Sequence, residues 1–473
     1  MAIIKVLFRH QEKEVEVPEG TNLLQVVALA GVPLEGDCGG KGTCGKCKVR
    51  VLSGNILETT MAERKFLFPD ELAAGWVLAC QHEVIGDTVV ETRVHSDDYQ
   101  SKNVMKWQGS KVKVEPCVEK FFLSMELPTL DDHTPDLERL IYCLPQRNDI
   151  KISRNILSTL PRLLREAGFQ VTAVLVGDRI VAVERGNTSG RVYGIALDIG
   201  TTTLAGYLVD LARGEVLSVS VSSNPQSVYG ADVITRIYHA AYNKDGLKQL
   251  QDIVLGAVNG IISSLLKEAG VKKEEIYEMV VVGNTAMSHL FLGIDPANLA
   301  FSPFIPAFKC AVELQSSELG LQLLPESRVL LLPNISGFVG SDTVGAMLAA
   351  RIDQRKGTCL LVDIGTNAEV VLASQGRILI CSSAAGPAFE GSHIRHGMRA
   401  VEGAIESVII RDDVCLGVIG NLSPRGICGS GLIDAVAEML KTGIIDETGR
   451  FVDTEKGRCK LNPQLQATLS ALH

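Results

Sequence analysis

One pattern occurs twice in the second half of this chain. Tyr193-Gly-Ile-Ala-Leu-Asp198-Ile-Gly-Thr-Thr-Thr-Leu-Ala-Gly-Tyr-Leu-Val and Cys359-Leu-Leu-Val-Asp363-Ile-Gly-Thr-Asn-Ala-Glu-Val-Val-Leu both run from an apolar strand through Asp-Ile-Gly-Thr into a second apolar strand, with the two aspartates 165 residues apart. Recurrence of a whole strand-turn-strand unit marks a duplication, so residues 190–473 are expected to form two related α/β lobes.

Each copy makes chemical sense as a phosphate loop. Glycine lets the backbone approach the ligand, threonine hydroxyls and backbone N–H groups donate, and the aspartate anchors hydrated Mg²⁺. The residues are Asp198, Gly200, Thr201, Thr202 and Thr203 in the first copy, and Asp363, Gly365, Thr366 and Asn367 in the second. Two facing copies would clamp the phosphates of a nucleotide between two lobes. A lone Asp-x-Gly-Thr also fits an ordinary hairpin whose acid caps the turn; the pair at matching positions favours the nucleotide site. Asn284, in Val-Val-Gly-Asn-Thr-Ala-Met, either caps a helix or touches phosphate. Gly429, Ser430 and Gly431 open a helix that runs to Leu440, and a glycine loop there can seat an anion or a ribose.

The amino-terminal part carries different chemistry. Asp37-Cys-Gly-Gly-Lys-Gly-Thr-Cys-Gly-Lys-Cys47 places Cys38, Cys44 and Cys47 in a glycine-rich loop, and Cys80 follows. Three clustered cysteines and a distant fourth are the pattern of a [2Fe–2S] ferredoxin. A structural zinc site also takes four thiolates, but ribbons bring two Cys-x2-Cys pairs and only one is present. Strand, strand, helix, cluster loop, strand, and a last strand from Gly86 to Val94 give a β-grasp order for residues 1–95. The polar, aperiodic stretch 96–111 reads as a linker. A small α+β domain follows over 112–189. It has a strand near Lys111–Pro116, helices at Asp136–Leu144 and Ser153–Ala167, and a hairpin turned by Gly177-Asp178.

A net charge of −9 offers no basic stripe for nucleic acid. No run of about 18 uninterrupted apolar residues or signal-peptide core appears, so a cytoplasmic protein without membrane association is expected. The cysteines outside the cluster set, such as Cys359 and Cys381, lie singly in apolar segments and read as small core residues. His393 and His396 beside Arg395 and Arg399 read as a solvated or domain-facing loop.

The paired loops resemble the superfamily of actin, sugar kinases and heat-shock chaperones. There a connecting helix precedes the second phosphate loop, the place held here by Phe338-Val-Gly-Ser-Asp342-Thr-Val-Gly. The resemblance makes Asp342 an acid that positions the attacking water and sets Asp198, Asp363 and Asp342 as catalytic candidates, with a helix N-cap as the alternative for Asp342. Taken together, the ferredoxin domain, linker, small domain and actin-like half resemble the reductive activators of corrinoid proteins. Cys-x5-Cys-x2-Cys, Val-Gly-Asn-Thr-Ala-Met, Ala-Gly-Pro-Ala-Phe-Glu-Gly and Gly-Ile-Cys-Gly-Ser-Gly-Leu-Ile-Asp carry that resemblance over essentially the whole chain. It implies a homodimeric, ATP-dependent enzyme that takes electrons from an upstream low-potential donor and reduces Co(II) to Co(I) in a partner methyl-transfer protein. A glycine-rich adenosine loop is expected after Leu440 and is not found before His473. The actin-like half therefore reads as shortened at its carboxyl end, with adenine binding weakened. Rival readings are an activator of another low-potential enzyme and a redox-responsive nucleotide-binding clamp without turnover.

Overall fold

The computed structural model describes residues 3–9, 13–30, 32, 34, 40–43, 45–54, 58–92, 114–145, 149–365, 367–390, 394, 396–398, 400, 402–411 and 413–452. The expected linker at 96–111, Cys38, Cys44, Thr366, His393, Arg395 and Arg399 lie outside them. The chain divides into two compact units, one of Met1–Gln108, Ser227–Asp232 and Ala350–His473, the other of Gly109–Gln226 and Val233–Ala349.

The first expected strand is β1 (Ile3–Phe8), whose alternate residues Ile4, Val6 and Phe8 are buried, paired antiparallel with β2 (Lys13–Pro18). β3 (Thr21–Asn22) leads into α1 (Leu23–Leu29), where the Asn22 side chain caps by accepting the Leu24 N–H at 3.0 Å. β4 (Lys48–Ser53), α2 (Met61–Phe66), α3 (Pro69–Ala73), β5 (Trp76–Leu78), β6 (Glu83–Val84) and β7 (Thr88–Thr92) follow. The five-stranded sheet runs β2-β1-β7-β4-β5 with β1 and β7 parallel, and β3 pairs with β6 apart from it. This is the β-grasp order the sequence suggested.

The first described strand of the next sheet is β8 (Val118–Ser124), which pairs with β10; of the strand expected near Lys111–Pro116, residues 111–113 lie outside the described residues and 114–116 are not in a strand. α4 (Asp136–Tyr142), β9 (Lys151–Ile152), α5 (Arg154–Glu166), β10 (Gln170–Val176) and β11 (Arg179–Arg185) complete it, in the order β8-β10-β11-β9. Ser153 caps α5 and Gly177 turns the β10–β11 hairpin at φ +61°. The buried Lys120 ammonium joins this sheet to the next element set, donating to Glu184 Oε2 (2.8 Å), the Arg191 carbonyl (3.0 Å) and Tyr277 Oη (2.9 Å).

β12 (Tyr193–Ile199), β13 (Thr203–Asp210), β14 (Glu215–Ser223), α6 (Val233–Tyr242), α7 (Gly246–Ala269), β15 (Ile276–Gly283), α8 (Thr285–Leu292), β16 (Val312–Gln315), β17 (Arg328–Leu331) and α9 (Ser341–Ala349) build a six-stranded sheet in the order β14-β13-β12-β15-β17-β16. β12, β15 and β17 are parallel. α7 is long and apolar enough to cross a membrane by length and composition. Its buried stripe of Leu250, Val254, Val258, Ile261 and Leu265 has helical spacing, and it packs on β13 and β14.

The last part holds β18 (Cys359–Ile364), β19 (Asn367–Ser374) and β20 (Arg377–Ala384) in one antiparallel sheet. β21 (Ala404–Ile410), β22 (Val414–Val418) and β23 (Gly426–Ile427) form another, against which α10 (Gly429–Lys441) packs. The reading of lone cysteines as core residues fails for most of them. Cys117, Cys143, Cys310, Cys381 and Cys415 are exposed and Cys359 is half-buried, whereas Cys428 is buried. Cys381 shares its exposure with its sheet neighbours Leu360, Val362, Leu372 and Leu379, so apolar sequence around a cysteine did not mean burial here.

Candidate functional site

Cys47 precedes β4, and Cys80 sits in the turn after β5; both belong to the ferredoxin core, 1% and 8% exposed. The Ala79 N–H donates to the Cys47 carbonyl at 2.8 Å, which holds the two segments side by side. A hydrogen bond from the Cys47 thiol, reinforced by the Gln81 amide at 3.4 Å and the Gly42 N–H, pulls the Cys80 thiol down to about 6 against the effect of burial. A thiol so disposed is ready to be a metal thiolate. Gly45 has φ +68°, and a Cβ there would lie 2.6 Å from the Phe66 side chain, so the loop needs glycine on both counts. Two adjoining buried thiols, with the Gly42 N–H and the Gln81 amide directed at the Cys80 sulfur, fit an iron–sulfur cluster. Glu63 supports them from α2. Its wholly buried carboxylate takes the Leu78 N–H (2.8 Å), meets His82 Nε2 (2.7 Å) and caps its own helix through Thr60. Burial pushes the Glu63 carboxyl up, but these hydrogen bonds outweigh it and hold it below the usual range.

The first Asp-Ile-Gly-Thr segment ends β12 beside the end of parallel β15, with Asp198 opposite Val282 and Ile199 opposite Gly283. The loop beyond is fixed through its carbonyls. Asn224 Nδ2 donates to Gly200 O (2.8 Å), Arg236 Nη2 to Thr201 O (2.6 Å) and the Asn224 N–H to Thr202 O (2.8 Å). In a planar trans peptide the N–H points opposite to the carbonyl, so the N–H groups of Thr201 and Thr202 turn away from Asn224 and Arg236. That orientation is the one an anion requires. Of the two roles the sequence allowed Asn284, the structure shows the cap: its Oδ1 accepts the Met287 N–H (3.0 Å) at the start of α8, while its Nδ2 donates to Thr201 Oγ1 (3.0 Å) and so reaches the loop. Ser341 Oγ exchanges hydrogen bonds with the backbone of Gly283 at 3.0 and 3.1 Å, docking the start of α9 at the same place. Asp342 follows in the first turn of α9, where its Oδ1 accepts the Thr343 N–H at 2.7 Å. Asp198, Gly200, Thr201, Thr202, Thr203, Asn284 and Asp342 thus gather at the carboxyl ends of parallel strands, where α/β sheets bind ligands.

Asp363, Gly365 and Asn367 belong to the other compact unit. Asp363 ends on an exposed stretch of β18, and the Gly365 N–H donates to Asn367 O at 3.1 Å. Gly429 and Gly431 have a packing reason: a Cβ on either would fall within about 2.2 Å of the Phe389 and Ile405 carbonyls respectively. Ser430 Oγ lies 3.3 Å from the Cys428 thiol.

Comparison with known proteins assigns the family. The chain matches profiles described as the RACo linker region (residues 108–190), the RACo middle region (193–355), the C-terminal domain of RACo, the ASKHA domain (357–470), and a 2Fe-2S iron-sulfur cluster binding domain (8–84). It is 32% identical over 452 residues to the corrinoid activation enzyme RamQ of Eubacterium limosum, covering 95% of this chain and 72% of that protein. The chain belongs to the reductive activators of corrinoid proteins. A [Co(II) methylated amine-specific corrinoid protein] reductase of Methanosarcina barkeri is 27% identical over 309 residues, covering 59% of this chain and 55% of that one. A solved structure titled reductive activator for corrinoid, iron-sulfur protein superposes with a TM-score of 0.67 at 38% identity, covering 95% of this chain and 74% of that one.

Within this reductive activator, a ferredoxin domain and an actin-like ATPase domain therefore share one α/β chain. Sequence reasoning missed the residues beneath the first loop. Asn224, Gln226 and Arg236 are all fully buried, with Gln226 Oε1 accepting from both of the others and Met287 Sδ 3.4 Å from Arg236 Nη1. Asn224-Pro225 after a strand is a turn signal that pointed at the first of them. Arg236 sits in an otherwise unremarked helix, and no spacing singles it out.

Proposed function

We propose that this chain uses Mg·ATP to drive one-electron reduction of a Co(II) corrinoid protein to the Co(I) state, drawing electrons from an upstream low-potential donor, as a cytoplasmic homodimer. The observation that carries the reading is that one chain holds both a buried thiol pair, Cys47 and Cys80, in which hydrogen bonds lower the Cys80 thiol to about 6, and a loop whose Gly200 and Thr201 carbonyls are tied back so that the Thr201 and Thr202 N–H groups turn away from Asn224 and Arg236. When bound, a [2Fe–2S] cluster supplies a low-potential electron, near about −400 mV for the plant type. The residues around it have two tasks: Cys38, Cys44, Cys47 and Cys80 hold it, and Gln81 and Gly42 direct N–H groups at the Cys80 sulfur. At the nucleotide, Thr201 and Thr202 would receive phosphate, Asp198 would orient hydrated Mg²⁺, Asp363 would have the corresponding role at its own loop, and Asp342 would position the attacking water. Reduction of Co(II) is uphill from such a donor, and each 100 mV costs about 2.3 kcal/mol per electron. Differential binding of ATP to open and closed lobes is the source that offsets it.

The test is anaerobic reduction of the full chain, mixing with a Co(II) corrinoid methyl-transfer protein, and recording the Co(I) absorption band with and without Mg·ATP. The band is expected only with ATP, and Cys80→Ser is expected to abolish it while leaving nucleotide hydrolysis. Absence of Co(I) from reduced, ATP-loaded protein with every corrinoid partner tried overturns the reading.

A further inference from the structure

We propose that Arg236 is a positioning residue for nucleotide, holding the 200–203 loop in its phosphate-ready conformation without touching the ligand. The inference rests on the reading of that loop as a phosphate site and goes one layer beneath it. A guanidinium with no exposed surface is an expensive core residue, so its contacts show what it is for. Nη2 donates to the Thr201 carbonyl at 2.6 Å, and Nη1 faces Gln226 Oε1 and Met287 Sδ, both at 3.4 Å. One planar fork thereby ties α6 to the loop, to the segment after β14 and to the first turn of α8. The same Met287 gives its N–H to Asn284 Oδ1, and Asn284 Nδ2 holds Thr201 Oγ1. Thr201 is therefore gripped twice, at its carbonyl from below by Arg236 and at its hydroxyl by Asn284.

The carbonyl grip decides which way the loop faces. If the Thr201 carbonyl is released, the peptide between Thr201 and Thr202 can rotate. The Thr202 N–H then no longer has a fixed direction, since it lies opposite that carbonyl in the same plane. Thr202 O and Gly200 O are held independently by Asn224, so the loss is confined to the central peptide and need not unfold the sheet.

The experiment is isothermal titration of the full chain with magnesium pyrophosphate, a probe that needs no adenine contact. Arg236→Met, similar in length and uncharged, is expected to weaken binding about tenfold or more, the scale of losing one charge-assisted hydrogen bond. Arg236→Lys keeps a single donor for Thr201 O and is expected to fall between Arg236→Met and the parent. It also stands in should the methionine variant fail to fold. Hydrogen exchange of the peptide spanning residues 198–204 gives the readout a merely structural role would not move: it should quicken in both variants while exchange in β13 and β15 stays as in the parent. Unchanged pyrophosphate affinity in a folded variant overturns the role of Arg236. Failure of the parent chain to bind pyrophosphate overturns the phosphate-site reading itself, and this inference with it.

Discussion

The first Asp-Ile-Gly-Thr hairpin runs through the middle of a six-stranded sheet, while the second forms an edge pair of a three-stranded one. Their turns differ as well. In the first, Gly200 N–H bonds the carbonyl of Thr203, three residues on, and Ile199 pairs with Leu204. In the second, Gly365 N–H bonds Asn367, two residues on, and Ile364 pairs with Ala368, so the connection is one residue shorter. Four shared letters of sequence thus do not dictate one loop conformation. What shapes the first loop is the buried Asn224 and Arg236 beneath it, which lie outside the repeated motif.

The largest expected effect tests the difference in surroundings. Leu197 and Val362 precede the two aspartates at equivalent positions, yet Leu197 is 1% exposed and Val362 46%. Leu197→Ala should cost about 2–5 kcal/mol, the range for emptying a packed core site, and Val362→Ala less than about 1 kcal/mol. Calorimetric unfolding of the two variants would break the comparison if the losses came out equal, for the second hairpin would then be as enclosed as the first.

Much of this fold was readable because local chemistry agreed with the global structure. The alternation of Ile4, Val6 and Phe8, the caps at Asn22, Ser153 and Asn284, and Gly177 at a positive-φ turn each point to one answer. α2 and α3 were not legible, because they are single turns or little more, too short to show a helical period, and their order comes from tertiary bonds such as Glu63 to Leu78. The missing residue in the second turn and the bond from Arg236 to Thr201 depend on contacts between segments tens of residues apart. The pattern of apolar letters around Cys381 carried no information about whether another layer would cover that sheet.

A middle-sized effect sharpens the claim about what lies under the first loop. Asn224 Nδ2 is shared among Gly200 O, Gln226 Oε1 and Met287 Sδ, and Oδ1 accepts the Gln226 N–H at 3.0 Å, all without exposure to solvent. Asn224→Ala would strand buried partners on both sides of its amide, at about 1–3 kcal/mol. Equilibrium denaturation reads the loss, and magnesium pyrophosphate titration of the same variant should show weakened binding. A stability loss with unaltered binding would mean that Asn224 merely fills the core.

The smallest effect belongs to the second hairpin. Ser382 Oγ donates to Glu369 Oε1 at 3.0 Å across β19 and β20, where the two residues face each other in register. The geometry is as good as that beneath the first loop, but Ser382 and Glu369 are both only half-buried, whereas Asn224 is fully buried. Water can replace the hydroxyl once it is removed, so neither partner is left desolvated. Ser382→Ala should therefore change stability by no more than about 0.5 kcal/mol. The same denaturation measurement, run beside Asn224→Ala, decides whether enclosure or bond length separates the two hairpins. A Ser382→Ala loss approaching that of Asn224→Ala would show that the short bond matters by itself and that exposure is the wrong explanation for the contrast.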